Sequence, residues 1–161
     1  MSRCLATLAA ALLAGCSAYQ LGGPKPAFRA IEVAPIRNST SRAGTHAVLH
    51  GKIVEALAAD PRVRLGPGDA LLEAEVVRYQ RDGFTTKTGD AYAYTSYRVG
   101  FEVRCTLTAD GGKRVLFKDR LFRSAATLQI SGDPAAEELS LGPTVFGDIA
   151  AQIREAATTA W

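Results

Sequence analysis

Apolar and polar positions alternate most regularly over residues 97–108. Tyr97, Val99, Phe101, Val103, Cys105 and Leu107 fall on one side, and Arg98, Gly100, Glu102, Arg104, Thr106 and Thr108 on the other. A period of two is that of a half-buried strand. Asp110-Gly111-Gly112 then supplies a hairpin turn. The segment KRVLFKDRLFR pairs back across it, with Val115, Phe117 and Leu121 directed to the core. Residues 69–81, DALLEAEVVRYQR, are strand-like by content. Near the start, FRAIEVAPI sets Ile31, Val33 and Pro35 on one side of a strand, and the turn-rich RNSTSRAG follows.

The period changes over THAVLHGKIVEALAAD. Leu49, Ile53, Ala56 and Leu57 stand at i, i+4, i+7 and i+8, one apolar face of a helix. Thr45 or Ser41 is placed to cap it, Gly51 weakens it by about 1 kcal/mol, and Pro61 after Asp60 ends it. A second helix runs from Pro134 or Pro143 to the end of the chain, with Val145, Ile149, Ile153 and Ala156 as its buried stripe. Residues 82–94 read as a loop or an extended hairpin tip, and residues 124–134 as a loop.

The order β-α-β-β-β-α predicts an α+β fold: a two-layer sandwich with a mixed four-stranded sheet and two helices on one face. The first β-α-β unit crosses over right-handed if its strands share the sheet. Arg98, Glu102 and Arg104, with Lys118 and Arg120, fall on the other face. Such a face is either solvated or a polar binding surface, and sequence does not separate the two. Loops 37–44, 82–94 and 125–133 gather at one end of the sheet, and the Asp110-Gly111-Gly112 turn lies at the other.

Composition admits this fold. The chain has 161 residues, 47% hydrophobic and 22% charged, which is globular and not disordered. No apolar run is long enough for a membrane-spanning helix. The formal charge of +3 comes without a Lys/Arg run, so nucleic acid is not indicated.

The first residues carry a different signal. Arg3 precedes an apolar stretch from Leu5 to Ala14, and Leu13-Ala14-Gly15-Cys16 resembles the lipobox of bacterial lipoproteins. The resemblance implies a signal peptide over 1–15, a lipidated linker over 16–27 and a single α+β domain over 28–161. Cys16 would carry the lipid, anchoring the protein to a membrane. One acyl chain binds only marginally, and additional chains make the anchor stable. Ser17 after the cysteine, where inner-membrane lipoproteins often have Asp, favours the outer membrane, facing the periplasm. Cys4 leaves with the signal and Cys16 is blocked, so Cys105 has no disulfide partner.

No catalytic set is found. His46 and His50 have helical ligand spacing, but the pair reads HAVLH, without the Glu of HExxH and without a third His. No P-loop, GxSxG or GxGxxG is present, and Cys105 sits in an apolar register. No enzyme activity, cofactor or metal is expected. The basic residues Arg37, Arg42, Arg81 and Lys87 lie at the loop end of the sheet near Tyr92, Tyr94 and Tyr97. With Arg98 and Arg104 they are the candidate contacts for a phosphorylated glycolipid or a protein partner.

With these pieces placed, the chain resembles the LptE family, lipopolysaccharide-assembly lipoproteins of the outer membrane. The resemblance rests on Cys16, Tyr19, Leu21, Gly22 and Gly23, then Ile31, Val33, Pro35, Asn38 and Thr40, and on DALLEAEVVRY, YRVGFEVRCTL and DIAAQIREAATTAW. The linker departs from the family in having Ser17-Ala18 before Tyr19. The resemblance implies a plug and assembly partner of the LptD β-barrel in lipopolysaccharide transport, with lipopolysaccharide itself as a further contact. The alternatives are an auxiliary lipoprotein of another envelope transporter and a direct glycolipid-binding carrier.

Overall fold

The computed structural model describes residues 25–159. The segment expected to be a signal peptide, Cys16 and most of the expected linker lie outside the described residues. Six strands and two helices follow in the order β1 (Ala30–Val33), β2 (Arg37–Asn38), α1 (Thr45–Ala58), β3 (Arg64–Leu65), β4 (Ala70–Lys87), β5 (Asp90–Ala109), β6 (Arg114–Gln129) and α2 (Pro134–Thr158). The sheet order is β3-β1-β4-β5-β6, with β2 also paired to β4. β1 and β2 run parallel to β4, whereas β4, β5 and β6 form an antiparallel meander. The α+β sandwich with a mixed sheet is therefore the fold, with six strands where the pattern predicts four.

The two extra strands have simple causes. The predicted first strand is divided at Pro35, which has no N–H to give to a ladder. Ala34 still donates to the Leu72 carbonyl (2.9 Å) and Ser39 to that of Val76 (3.0 Å), so both pieces follow β4. β3 contributes two residues at the sheet edge beside β1, too few to show any period.

The core is built from one alternation set. Leu72, Ala74 and Val76 of β4 and Val99, Phe101, Val103, Cys105, Leu107 and Ala109 of β5 are buried against Leu49, Ile53 and Leu57 of α1 and Val145, Phe146, Ile149 and Ile153 of α2. Tilted ring contacts cross the layer: Tyr79 to Phe101 at 5.2 Å and Phe101 to Phe146 at 4.7 Å. α1 starts differently from expectation. Its N-cap is Gly44, left-handed at φ 77° and without a side-chain cap, and Thr45 Oγ1 instead donates to the Arg42 carbonyl (3.2 Å). α2 takes the earlier of its two starts and carries Pro143 inside. Proline suits a first helical turn because its missing N–H has no partner there.

Three expectations about the meander need correction or refinement. Residues 82–94 are the extended hairpin, not a loop, because β4 and β5 pair out to Lys87 and Asp90. Residues 124–129 continue β6 and are not loop. The facing of β6 is also shifted. Cys105 and Leu107 pair with Arg120 and Phe117, and Thr108 with Val115, so β6 carries two extra residues. Each such bulge reverses the alternation, and Asp119 takes a φ of 51° there. Leu116, Phe117 and Phe122 are consequently buried, while Val115 and Leu121 are exposed. For the same reason Arg123, not Arg120, shares the open face with Glu102.

Candidate functional site

The open face of the sheet holds a cluster of polar groups around a recess. Its centre is Gly100. In register beside it stand Gln80 on β4 and Ala125 on β6. One row to one side lie Arg78, Glu102 and Arg123, and one row to the other Asp82, Arg98 and Thr127. Gly100 has no side chain and Ala125 only a methyl. A Cβ added at Gly100 would meet that methyl at 3.3 Å. The centre row is therefore low and its flanking rows are high. The result is a trough of about 550 Å³ lined by Arg78, Gln80, Arg98, Gly100, Arg123 and Ala125, among others.

The charges in the trough are unevenly satisfied. Arg123 Nε donates to Glu102 Oε2 at 2.7 Å. Gln80 Nε2 donates to Asp82 Oδ2 at 2.8 Å. Arg78 and Arg98 have no ion-pair partner among the described residues and lie diagonally across Gly100. A surface guanidinium is stably hydrated alone. A guanidinium can bind a planar anionic group through paired N–H donors, and the recess that Arg78 and Arg98 border also holds the carboxylates of Asp82 and Glu102.

The other sequence-derived candidates are placed elsewhere. Arg42 and Arg81 converge on Glu138 near the start of α2. Arg42 Nε lies 3.2 Å from Glu138 Oε1 and Arg81 Nη1 3.5 Å from Oε2, and the Tyr79 hydroxyl donates to Oε1 at 2.6 Å. The Glu138 carboxylate is only 4% exposed. Arg81 also stacks 4.1 Å above the Tyr97 ring. Burial, followed by the hydrogen bond to Glu138, pushes the Tyr79 phenol up to about 12. This arrangement ties the loop after β2, the hairpin and α2 together. Asn38 shapes that loop: its Oδ1 accepts from the Thr40 N–H (3.0 Å) and hydroxyl (2.7 Å), and its amide donates to the Arg42 carbonyl (2.7 Å). Arg37 and Arg104 share Glu75 on the open face, at 3.8 and 4.0 Å, and the Ser39 hydroxyl also donates to it. Lys87 ends β4 at the hairpin tip.

Of the six basic candidates, then, Arg98 alone borders the trough. Sequence reading missed Arg78, Arg123, Gly100 and the Glu138–Tyr79 pair. Gly100 carried a usable signal: a glycine interrupting the polar side of the most regular strand marks a close approach or a recess.

No other chemistry assembles among the described residues. No group of three His, Cys, Asp or Glu side chains stands close enough to hold a metal. Cys105 is buried and its thiol is pushed up to about 12 by that burial, the condition of an inert structural cysteine. No helix among the described residues is long and apolar enough to cross a membrane.

No family model and no curated protein matches the chain. Its fold superposes on solved structures of low identity. A Xanthomonas campestris protein of family DUF330 gives a TM-score of 0.59 at 14% identity, over 84% of this chain and 86% of that one. Lipoprotein B of Nitrosomonas europaea gives 0.57 at 12%, over 86% and 90%. A minor lipoprotein of Acinetobacter baumannii gives 0.54 at 16%, over 79% and 90%. Likeness at these identities establishes a shared fold. It also corrects the assignment to LptE: the matching structures bear other names, DUF330 and minor lipoprotein among them, and no family model supports LptE. The quoted segments are strands, turns and a closing helix, and other chains of this fold need the same elements in the same order.

Proposed function

We propose that the chain is a lipid-anchored protein of the bacterial envelope that works by docking, without catalysis, as an auxiliary subunit of a membrane transport assembly. The observation that carries this reading is the trough on the open sheet face, where Arg78 and Arg98 make no ion pair among the described residues and stand beside a floor of Gly100 and Ala125. The segment ending at Cys16 supplies the anchor, and two of the superposed structures bear the name lipoprotein, which supports the same placement. An outer-membrane β-barrel such as LptD is one partner of suitable chemistry, since barrel lumens are polar. Another envelope transporter is the alternative.

The test is affinity purification of the full chain from its native membrane, with the co-purifying proteins identified by mass spectrometry. A stoichiometric transport component, lost when Arg78 and Arg98 are both changed to Glu, is expected. Recovery of a free monomer from mild detergent would overturn the reading. In parallel, Cys16→Ala is expected to move the protein out of the membrane fraction. Unchanged fractionation would remove the anchor from the proposal.

A further inference from the structure

The trough runs across the strands, and its low row ends at β6, an edge strand with a neighbour on one side only. The direction of β6's backbone groups can be read from two hydrogen bonds. The Arg123 carbonyl accepts from Gln152 Nε2 of α2 (3.0 Å), so residue 123 points away from β5. The Ile130 N–H donates to the Thr95 carbonyl of β5 (2.9 Å), so residue 130 points inward. Backbone direction alternates along a strand, and both bonds require the same phase. The N–H and C=O groups of Ala125, Thr127 and Gln129 therefore face outward, with no partner among the described residues.

This edge is protected in one half and bare in the other. From Lys118 to Arg123 it carries three basic residues and the bulge at Asp119. The last turns of α2 lie beside it, with Gln152 and Glu155 lining a groove with Arg120 and Phe122. Charge, bulges and covering helices are the usual means of blocking an edge. Residues 124–129, Ser-Ala-Ala-Thr-Leu-Gln, have no charge, no proline and no bulge.

We infer that the outward edge of β6 at Ala125, Thr127 and Gln129 pairs with an extended segment of a partner protein, whose acidic side chain enters the trough over Ala125 toward Arg98 and Arg78. An added strand lies about 4.8 Å beyond β6. Its open-face side chain opposite Ala125 then meets the Ala125 methyl and the Gly100 floor before reaching the arginines. Backbone pairing supplies affinity and the side-chain pocket supplies selection, as in other strand-addition complexes. This rests on the docking function proposed above and names the chemistry of its partner.

The experiment places a photoreactive amino acid at Gln129 of the full chain in its native membrane and identifies the crosslinked peptide. Thr127→Pro is the test variant. It removes an outward N–H and leaves the ladder to β5 unaltered, so the chain folds and melts as wild type. The expected result is one adduct to an acidic extended segment, reduced at least tenfold by Thr127→Pro and also by Arg98→Glu. An adduct that survives Thr127→Pro in a folded chain overturns strand addition and leaves the docking function standing, provided the affinity purification still yields its partner. An adduct to a second copy of this chain overturns the heterologous partner. Absence of an adduct, together with absence of a co-purifying protein, overturns both readings.

Discussion

The two faces of β5 share one backbone and divide the protein's work. Val99, Phe101, Val103, Cys105 and Leu107 are buried under the helices, whereas Arg98, Gly100, Glu102 and Arg104 point from the same strand into the open. Strand alternation makes the separation possible. Each residue's neighbours along the chain belong to the other face, so stability can be selected on odd positions and recognition on even ones. The consequence is that substitutions on the two faces should fail differently. Those on the covered face should cost folding free energy, and those on the open face, under the proposed docking function, should cost binding.

The sharpest break in that comparison lies in the covered layer. Phe146 is buried in α2 and packs its ring, tilted, against Phe101 at 4.7 Å between centroids. Phe146→Ala removes the ring and leaves a cavity that close-packed neighbours fill only partly. A loss of about 3–5 kcal/mol is expected, read as a shifted denaturant midpoint with unchanged slope. A loss below 1 kcal/mol would mean that the helix layer does not hold the sheet as described.

Polar groups at the margin of the core come next. Asp60, after α1, is buried and takes a forked ion pair from Arg62, with Nε 2.8 Å from Oδ1 and Nη2 2.6 Å from Oδ2. Arg62 Nη2 also donates to Thr158 Oγ1 of α2 at 3.0 Å. The Arg62 hydrogen bonds hold the Asp60 carboxyl down to about 2 against an ordinary 3.8, while burial opposes them. A carboxyl depressed on folding stabilises the fold above its unfolded pKa, and the benefit disappears as pH falls through the folded one. Asp60 thus contributes about 2 kcal/mol at neutral pH, fading between roughly pH 4 and 2. Asp60→Asn should lose that amount at pH 7 and should melt with a flatter pH dependence across the same interval. Equal slopes for the two proteins there would sink the assignment.

Glu138 tests the boundary between the faces. Glu138→Gln keeps the shape of the side chain but leaves Arg42 and Arg81 without their anion. Both guanidiniums are about a third exposed, so water compensates part of the loss, and about 1–2 kcal/mol is expected in thermal melts. Because α2 and the hairpin are joined through this carboxylate, amide exchange near residues 79–82 should accelerate more than exchange in β1. Uniform acceleration would show that the cluster is not a local clamp.

What the sequence revealed follows the same division. The covered face of β5 and the stripe of α2 were legible because an unbroken period leaves little choice of facing. In β6 the facing of Phe117 holds and that of Val115 and Leu121 does not, because a bulge has no reliable signature when its extra residue is not glycine. Asp119 takes the left-handed conformation that glycine would have announced. β3 was invisible because two residues carry no period. Of the trough, only the recess at Gly100 had a signal in the sequence. The rest of it arises from which β4 and β6 residues flank Gly100, and that register is set by the bulges at residues 77, 84 and along β6. Arg42 and Arg81 are legible as basic residues near the loop end of the sheet, but their common partner, Glu138, lies far along the chain and no local pattern links it to them.

The smallest expected change in stability is also the most informative. Arg98 is exposed, unpaired among the described residues and one row from Gly100. Arg98→Ala removes no ion pair and uncovers no core, so the melting free energy should stay within about 0.5 kcal/mol of wild type. Gly100→Val would fill the trough floor, with its new Cβ at a tight 3.3 Å from Ala125, and should likewise leave a folded chain at a modest cost. If both proteins melt close to wild type yet lose the co-purifying partner, the even positions of β5 serve recognition alone. If Arg98→Ala instead destabilises the fold by more than about 1 kcal/mol, the open face contributes to folding as well. The separation between the two sides of the strand then fails at the residue where it should be cleanest.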